Sequence, residues 1–224
     1  SMVLCKRTVC CSRSSYLSFS FILRWLFKYK FLYITNGIYL EKSSLEFNFH
    51  AKLKIISVGR LIPLKAPGVI ISALKSLRSN FSCIFLGQGE LDDELRNKVN
   101  DDDRFEFLGL VNRSKVNDLL SQSDVFISSS LVEGMPIAAL EAAAGGCYLL
   151  LSNIPPHIEI AKELPFCNIF NSKDELSGFL ENLLKQDSEF FRNVFFKNSE
   201  AVLENFSLKE MLEKYMEVYK VVID

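Results

Sequence analysis

The chain has 224 residues, 26 basic and 27 acidic, giving a formal net charge of −1, with 49% hydrophobic and 24% charged residues. Such a composition excludes wholesale disorder, and near-neutral charge argues against a general nucleic-acid binder. The length suits one large domain, or one full domain with a piece of another, and it buries a core without disulfides or metal.

The charge is unevenly spread. Residues 1–40 carry Lys6, Arg7, Arg13, Arg24, Lys28 and Lys30 and no acid, a sum of +6; the remainder holds 20 basic and 27 acidic residues, or −7. A basic, aromatic N-terminal segment therefore precedes an acidic body. Six cysteines, none at C-x-x-C spacing, lie partly in apolar runs such as Cys83-Ile84-Phe85-Leu86. They read as buried free thiols and point to a reducing, cytosolic compartment. His50 and His157 are far apart, outside any H-E-x-x-H, so no zinc site is expected.

Leu17 to Ile34 is apolar and aromatic, but Arg24, Lys28 and Lys30 interrupt it. A charge near the centre of a span is costly, and the uninterrupted apolar part is too short to cross a bilayer. Three readings stay open. The segment is a buried strand or helix of a partial domain, or an interfacial stretch over residues 14–34 lying on anionic lipid, or a signal peptide without an evident cleavage site.

From Leu53 onward short apolar runs alternate with helical patterns. Strands are expected at Leu53–Val58, Ser82–Leu86, Arg104–Leu108, Val125–Ser128, Tyr148–Leu151 and Cys167–Phe170. Helices are expected at Val69–Leu77, Glu90–Val99, Ser114–Ser121, Pro136–Ala144 and His157–Glu163, with a helical tail from Lys173. Ser207 with Glu210 reads as a capping box. Glu41–Lys52 is polar and turn-like, a linker. Strands alternating with helices make an α/β fold, a doubly wound parallel sheet of Rossmann-like type. Such sheets bind ligands beyond the carboxyl ends of their strands.

The first of those loops is Gly59-Arg60-Leu61-Ile62-Pro63-Leu64-Lys65. Its two cations match an anion, best a diphosphate; the plainer reading is surface charge. The second, Gly87-Gln88-Gly89-Glu90, would let a ligand approach the backbone. The fourth carries most: Ser128-Ser129-Ser130-Leu131-Val132-Glu133-Gly134-Met135-Pro136, then Ile-Ala-Ala-Leu-Glu-Ala-Ala-Ala. Gly134 frees the backbone, and the amides of Ile137 and Ala138 at a helix start form an anion site. Glu141, an acid in an apolar helical run, needs partners. It either accepts two vicinal hydroxyls, as a ribose offers, or bonds nearby backbone N–H groups.

Glu133 and Glu141 are separated by seven residues. This spacing resembles the E-x7-E motif of retaining glycosyltransferase family 4, of the GT-B fold. Val58-Gly59-Arg60-Leu61 with Lys65, Phe85-Leu86-Gly87-Gln88-Gly89, Phe107-Leu108-Gly109, Asp124 through Ser130, Ile158-Glu159-Ile160 and Asn36-Gly37-Ile38 resemble further motifs of that family, in its order. The resemblance covers about residues 34–220. Four positions depart from it. Ala66 replaces a glycine after the loop lysine, Met135 an aromatic, and Cys147-Tyr148 a small residue and Pro-Val.

The resemblance implies a nucleotide-sugar donor site, for a UDP- or GDP-sugar, with no obligatory metal. Arg60 and Lys65 would bind the diphosphate and stabilise charge on the leaving nucleotide. Glu141 would hold the ribose and Glu133 the transferred sugar. Gly59, Gly87, Gly89, Gly134 and the backbone of Met135, Ile137 and Ala138 would form the cradle, with Leu110 and Val111 near the base. Asp101-Asp102-Asp103 contains a D-x-D pattern but precedes a strand, at the wrong edge of the sheet, and reads as a solvated turn. The implied acceptor is a glycan or lipid-linked glycan, the site of action the cytoplasm or the inner face of its membrane.

A GT-B enzyme has two α/β domains. Residues 1–50 would then be a remnant of the acceptor domain plus linker, and 51–224 the donor domain. Ser1 ahead of Met2 reads as a residue left by cloning. The first half is thus expected to be truncated or supplied by a separate acceptor-domain chain, with this chain inactive alone.

Overall fold

The computed structural model describes residues 5–39, 47, 50–78 and 80–223. Most of the expected linker, Glu41–Lys52, lies outside the described residues.

The body holds six parallel strands: β3 (Leu53–Val58), β4 (Phe81–Leu86), β5 (Phe105–Gly109), β6 (Val125–Ser128), β7 (Tyr148–Ser152) and β8 (Cys167–Phe170). Their order across the sheet is β5-β4-β3-β6-β7-β8, and every pairing is parallel. This is the doubly wound order, which reverses direction between β3 and β6. Helices α3 (Pro67–Lys75), α4 (Asp92–Lys98), α5 (Arg113–Ser121), α6 (Ile137–Ala144), α7 (Pro155–Glu163), α8 (Lys173–Leu183), α9 (Ser188–Asn205) and α10 (Leu208–Ile223) follow the strands.

Each strand feeds two cores, because successive side chains leave opposite faces. Ile55, Ile127 and Leu150 join Ile70, Leu95, Leu176 and Leu180 on one face. Ile56, Phe126, Leu149 and Leu151 join Leu120, Leu140, Ile160 and Val202 on the other. Burial on both faces explains why the strands are uniform apolar runs. Burial also pushes the Cys83 and Cys147 thiols up, and that of Cys167 up to about 12.

The expected strands lie within a residue of the observed ones at each end. Helix α3 starts two residues earlier than its periodicity suggests. Pro67 occupies the first turn, where its missing N–H costs nothing, and Ala66 ahead of it takes the left-handed conformation, φ 46°. Ser207 stands directly before α10, and its carbonyl accepts from Met211 N–H at 3.1 Å; its two neighbours bridge to Ile38, which donates to Phe206 O at 2.9 Å and accepts from Leu208 N–H at 3.2 Å. That contact also accounts for Gly37, where a Cβ would fall 2.4 Å from the Ser207 carbonyl oxygen.

The N-terminal piece is a separate small unit: β1 (Thr8–Cys10), α1 (Arg13–Leu17), α2 (Phe21–Leu26) and β2 (Phe31–Tyr33), with β1 and β2 a parallel pair. The apolar stretch of residues 17–34 is thus neither one strand nor one helix. Ser20 caps α2, and the chain turns back at Phe27. Phe31 and Ile34 are buried, whereas Phe21, Ile22, Trp25 and Leu26 face outward. No helix among the described residues is long and apolar enough to cross a membrane.

Candidate functional site

The sheet reverses between β3 and β6, so the loops after them flank one crevice. Three bonds join these loops. Ser129 Oγ reaches the carbonyls of Lys65 and Ala66 at 3.0 and 2.9 Å, and Leu131 N–H donates to Leu64 O at 2.9 Å. Lys65 ends a single 3₁₀ turn, Pro63–Lys65. That turn and the bonds bring its ammonium onto the Glu133 carboxylate as a half-buried ion pair. Ser130 Oγ donates to the same carboxylate oxygen, Oε1, at 2.7 Å.

The second loop is built around close backbone approach. A Cβ at Gly87, φ +130°, would lie 2.0 Å from Gly59 O, and one at Gly89 would lie 2.2 Å from Leu61 O. These glycines let the first two loops pack edge to edge, with Leu61 N–H on Gln88 O at 3.1 Å and Leu91 N–H on Leu61 O at 2.9 Å. Gly59 differs: a Cβ there meets nothing within 4 Å. Its open side faces free space at the strand end.

Glu141 sits in α6, its side chain only 10% exposed, and pairs with Arg113 at the start of α5. Burial raises its pKa, and the Arg113 guanidinium partly offsets the shift. Pro136 stands at the N-cap of α6, which has no side-chain cap. Ile137 N–H turns back to Met135 O at 3.0 Å. Of the two helix-start amides expected to meet an anion, that of Ile137 is therefore already engaged by the chain. Met135 is buried, Gly134 exposed, and Ala138 half-buried. Leu110, 75% exposed, and half-buried Val111 lie in the loop between β5 and α5.

The geometry brings together Lys65 and Glu133. It leaves Arg60 apart: its side chain is exposed, with no ion-pair partner among the described residues. Asp101–Asp103 lie in the turn ahead of β5, away from the crevice. That turn is not simply solvated. Asp102 binds the Arg104 guanidinium at 2.7 and 2.8 Å, and this pairing lowers its pKa. Among the described residues, no group of three or more His, Cys, Asp or Glu side chains could hold a metal ion.

The sequence reading gave no role to three residues that meet here: Arg113, Ser129 and Ser130. Three consecutive hydroxyls ending an apolar strand were a readable signal for the serines. Arg113 met Glu141 only through folding.

A family model described as "Glycosyl transferases group 1" matches residues 42–201. The chain belongs to that family. It is 28% identical over 207 residues to the Escherichia coli UDP-Gal:alpha-D-GlcNAc-diphosphoundecaprenol alpha-1,3-galactosyltransferase, covering 83% of this chain and 53% of that protein. It is 31% identical over 140 residues to the Erwinia amylovora amylovoran biosynthesis glycosyltransferase AmsK, covering 55% of this chain and 34% of AmsK. Among solved structures, Anabaena HepE in complex with UDP-glucose superposes with a TM-score of 0.80 at 16% identity, covering 96% of this chain and 64% of HepE. TarM superposes with a TM-score of 0.79 at 14% identity, covering 96% of this chain and 43% of TarM. These neighbours establish the GT-B type of fold for this group 1 chain. The chain spans about half the length of the curated relatives it matches.

Proposed function

We propose that this group 1 chain is the donor-binding half of a retaining family 4 glycosyltransferase, with residues 51–224 as the donor domain. In this reading it holds a nucleotide-sugar, a UDP- or GDP-sugar, for transfer to a glycan or lipid-linked acceptor. The observation that carries the reading is the Lys65–Glu133 ion pair at the crevice where the sheet order reverses, with Glu141 eight residues further on. A diphosphate entering there draws Lys65 from Glu133 and engages Arg60, which is exposed on the same loop. Both cations then face the charge that grows on the leaving nucleotide. Glu133, released from Lys65, turns its oxygens to the sugar hydroxyls. Glu141 accepts the ribose hydroxyls, sharing its charge with Arg113. The open face of Gly59 admits the phosphates, and Leu110 and Val111 border the base.

Calorimetric titration of the chain with UDP, GDP and ADP, with Glu141→Ala as control, tests this. Binding of one nucleotide, lost in the variant, is the expected result and names the base. A chain that binds none of the three refutes a donor site in the isolated chain.

A second reading concerns completeness. The chain covers about half of its relatives' length, and its N-terminal unit is a two-stranded parallel sheet beside an outward-facing apolar α2. Parallel sheets are normally larger and covered on both faces. We infer that these residues bind donor by themselves, and that sugar transfer needs an acceptor domain, in the same protein or in a partner chain, against the N-terminal unit. The face of residues 14–34 contributes to that contact or rests on anionic lipid. Transfer from UDP-glucose by the isolated chain to a lipid-linked acceptor contradicts this second reading.

A further inference from the structure

His157 was of no account as a metal ligand, and nothing in the donor-site reading uses it. It is nevertheless fully buried, at the first turn of α7, directly beneath the crevice. Burial lowers its pKa, so the ring is neutral. Its Nδ1 lies 2.9 Å from the Ser152 carbonyl oxygen, which can only accept, so Nδ1 carries the proton. Nε2 is then a bare acceptor. The group that faces it is the Ser128 hydroxyl, at 3.4 Å. The Ser152 hydroxyl, 3.1 Å from Nδ1, gives its own proton to Ser130 O at 2.6 Å. The Ser130 hydroxyl, 3.3 Å from that of Ser128, is left to donate to Glu133 Oε1 at 2.7 Å. Every proton has one acceptor. The charges that act on the ring are Glu133 and Lys65, opposite in sign and paired with each other.

We propose that His157 is a positioning residue for Glu133. The imidazole ties the end of β7, through Ser152, to the end of β6, through Ser128. It thereby sets the three-serine turn so that Ser130 presents its proton to the Glu133 carboxylate. Reversal of the tautomer would set two lone pairs against each other at Ser152, so the orientation of the chain of bonds is determined by the backbone. Glu133 thus keeps one oxygen oriented when a diphosphate withdraws Lys65. The inference rests on the donor-site reading for the identity of Glu133's ligand, but not for the bond network itself.

Two measurements test it. Nitrogen-15 NMR of the histidines in the free chain should show His157 neutral with its proton on Nδ1, and Ser128→Ala should shift the Nε2 signal. A ring that titrates like an exposed imidazole, or an Nε2 signal indifferent to Ser128→Ala, overturns the network whether or not any nucleotide binds. Titration with UDP and with UDP-glucose then tests the role. Both His157→Asn, which keeps a donor near Ser152 but no acceptor for Ser128, and Ser128→Ala should weaken UDP-glucose about tenfold, the weight of one hydrogen bond to a charged group. UDP should change less than twofold. His157→Gln, whose amide reaches the Nε2 position, should restore much of the difference. Equal losses for UDP and UDP-glucose would mean that His157 only supports the fold, and the positioning role would be withdrawn. Wild-type chain that binds neither probe would instead count against the donor site, while the NMR still decides the network.

Discussion

Ala66 is a residue at odds with its backbone. It takes φ 46° and ψ 42°, the left-handed region that costs an L-residue with a Cβ roughly 1–2 kcal/mol. It also links the Lys65 turn to α3, so the strain sits beside the ion pair. Ala66→Gly should raise stability by about 1 kcal/mol, read from the urea midpoint. A lower midpoint would show that the loop needs the Cβ more than it suffers from it. Glu141 makes a second case. Its folded-state pKa is raised by burial, so its contribution to stability is full below the unfolded value and is lost as pH rises through the folded one. Glu141→Gln should therefore gain stability relative to wild type as pH rises from acid to neutral. Glu141→Ala should weaken nucleotide binding by about 1.5–3 kcal/mol, as for a charged hydrogen-bond partner. Wild-type affinity should fall in acid earlier than for an ordinary glutamate, because the carboxyl is protonated sooner. A pH-independent affinity would remove Glu141 from the ribose. Arg60→Ala should harm a nucleoside diphosphate far more than a nucleoside, since the exposed guanidinium has only phosphate to meet; equal losses would end that assignment.

Elements and their loops separate two kinds of glycine. Gly87 and Gly89 face backbone carbonyls at distances no Cβ tolerates, so Gly87→Ala should cost ~2 kcal/mol or more and lower the melting temperature. Gly59 faces open space. Gly59→Ala should keep the melting temperature and lose nucleotide affinity, because its methyl group fills the phosphate approach. A Gly59→Ala chain that binds as well as wild type would move the phosphates elsewhere. At this scale most of the fold was legible. Apolar runs, the Gly-Gly stop after α6 and the Asn112 cap on α5, which accepts from Lys115 N–H at 2.8 Å, are local signals. The N-terminal stretch was not legible as elements, since the breaks at Ser18–Ser20 and at Phe27 divide its apolar residues into pieces too short to show a period.

At the scale of the whole molecule the charge asymmetry and the apolar α2 coincide. Two of the cations of this segment lean on aromatic rings, Arg24 on Tyr16 and Lys28 on Tyr29, while Lys6 and Arg7 reach the carbonyls of Val222 and Tyr29. With Phe21 72% and Trp25 65% exposed, the isolated chain should self-associate or bind anionic vesicles. The double change Phe21→Ser with Trp25→Ser should abolish this and leave nucleotide affinity intact. A wild-type chain that stays monomeric and ignores such vesicles would contradict the role of this face. The N-terminal unit is nonetheless tied to the body near the site. Ser12 Oγ donates to Gly134 O at 2.9 Å, and Arg13 N–H donates to Glu159 at 3.2 Å.

The order of strands and helices, the α/β class and the loops worth inspecting follow from short-range chemistry, which any window of the chain already contains. So does the family resemblance, because Glu133 and Glu141 share one loop and helix. Partners are another matter. Lys65 meets Glu133 across 68 residues, Arg113 meets Glu141 across 28, and His157 reaches Ser128 across 29. These meetings depend on which strands become neighbours and on which side chains lose water. No local pattern reports either. Arg60 and Lys65 look alike in the sequence, five residues apart, and only the bonds that join the loops after β3 and β6 turn one of them inward and leave the other in solvent.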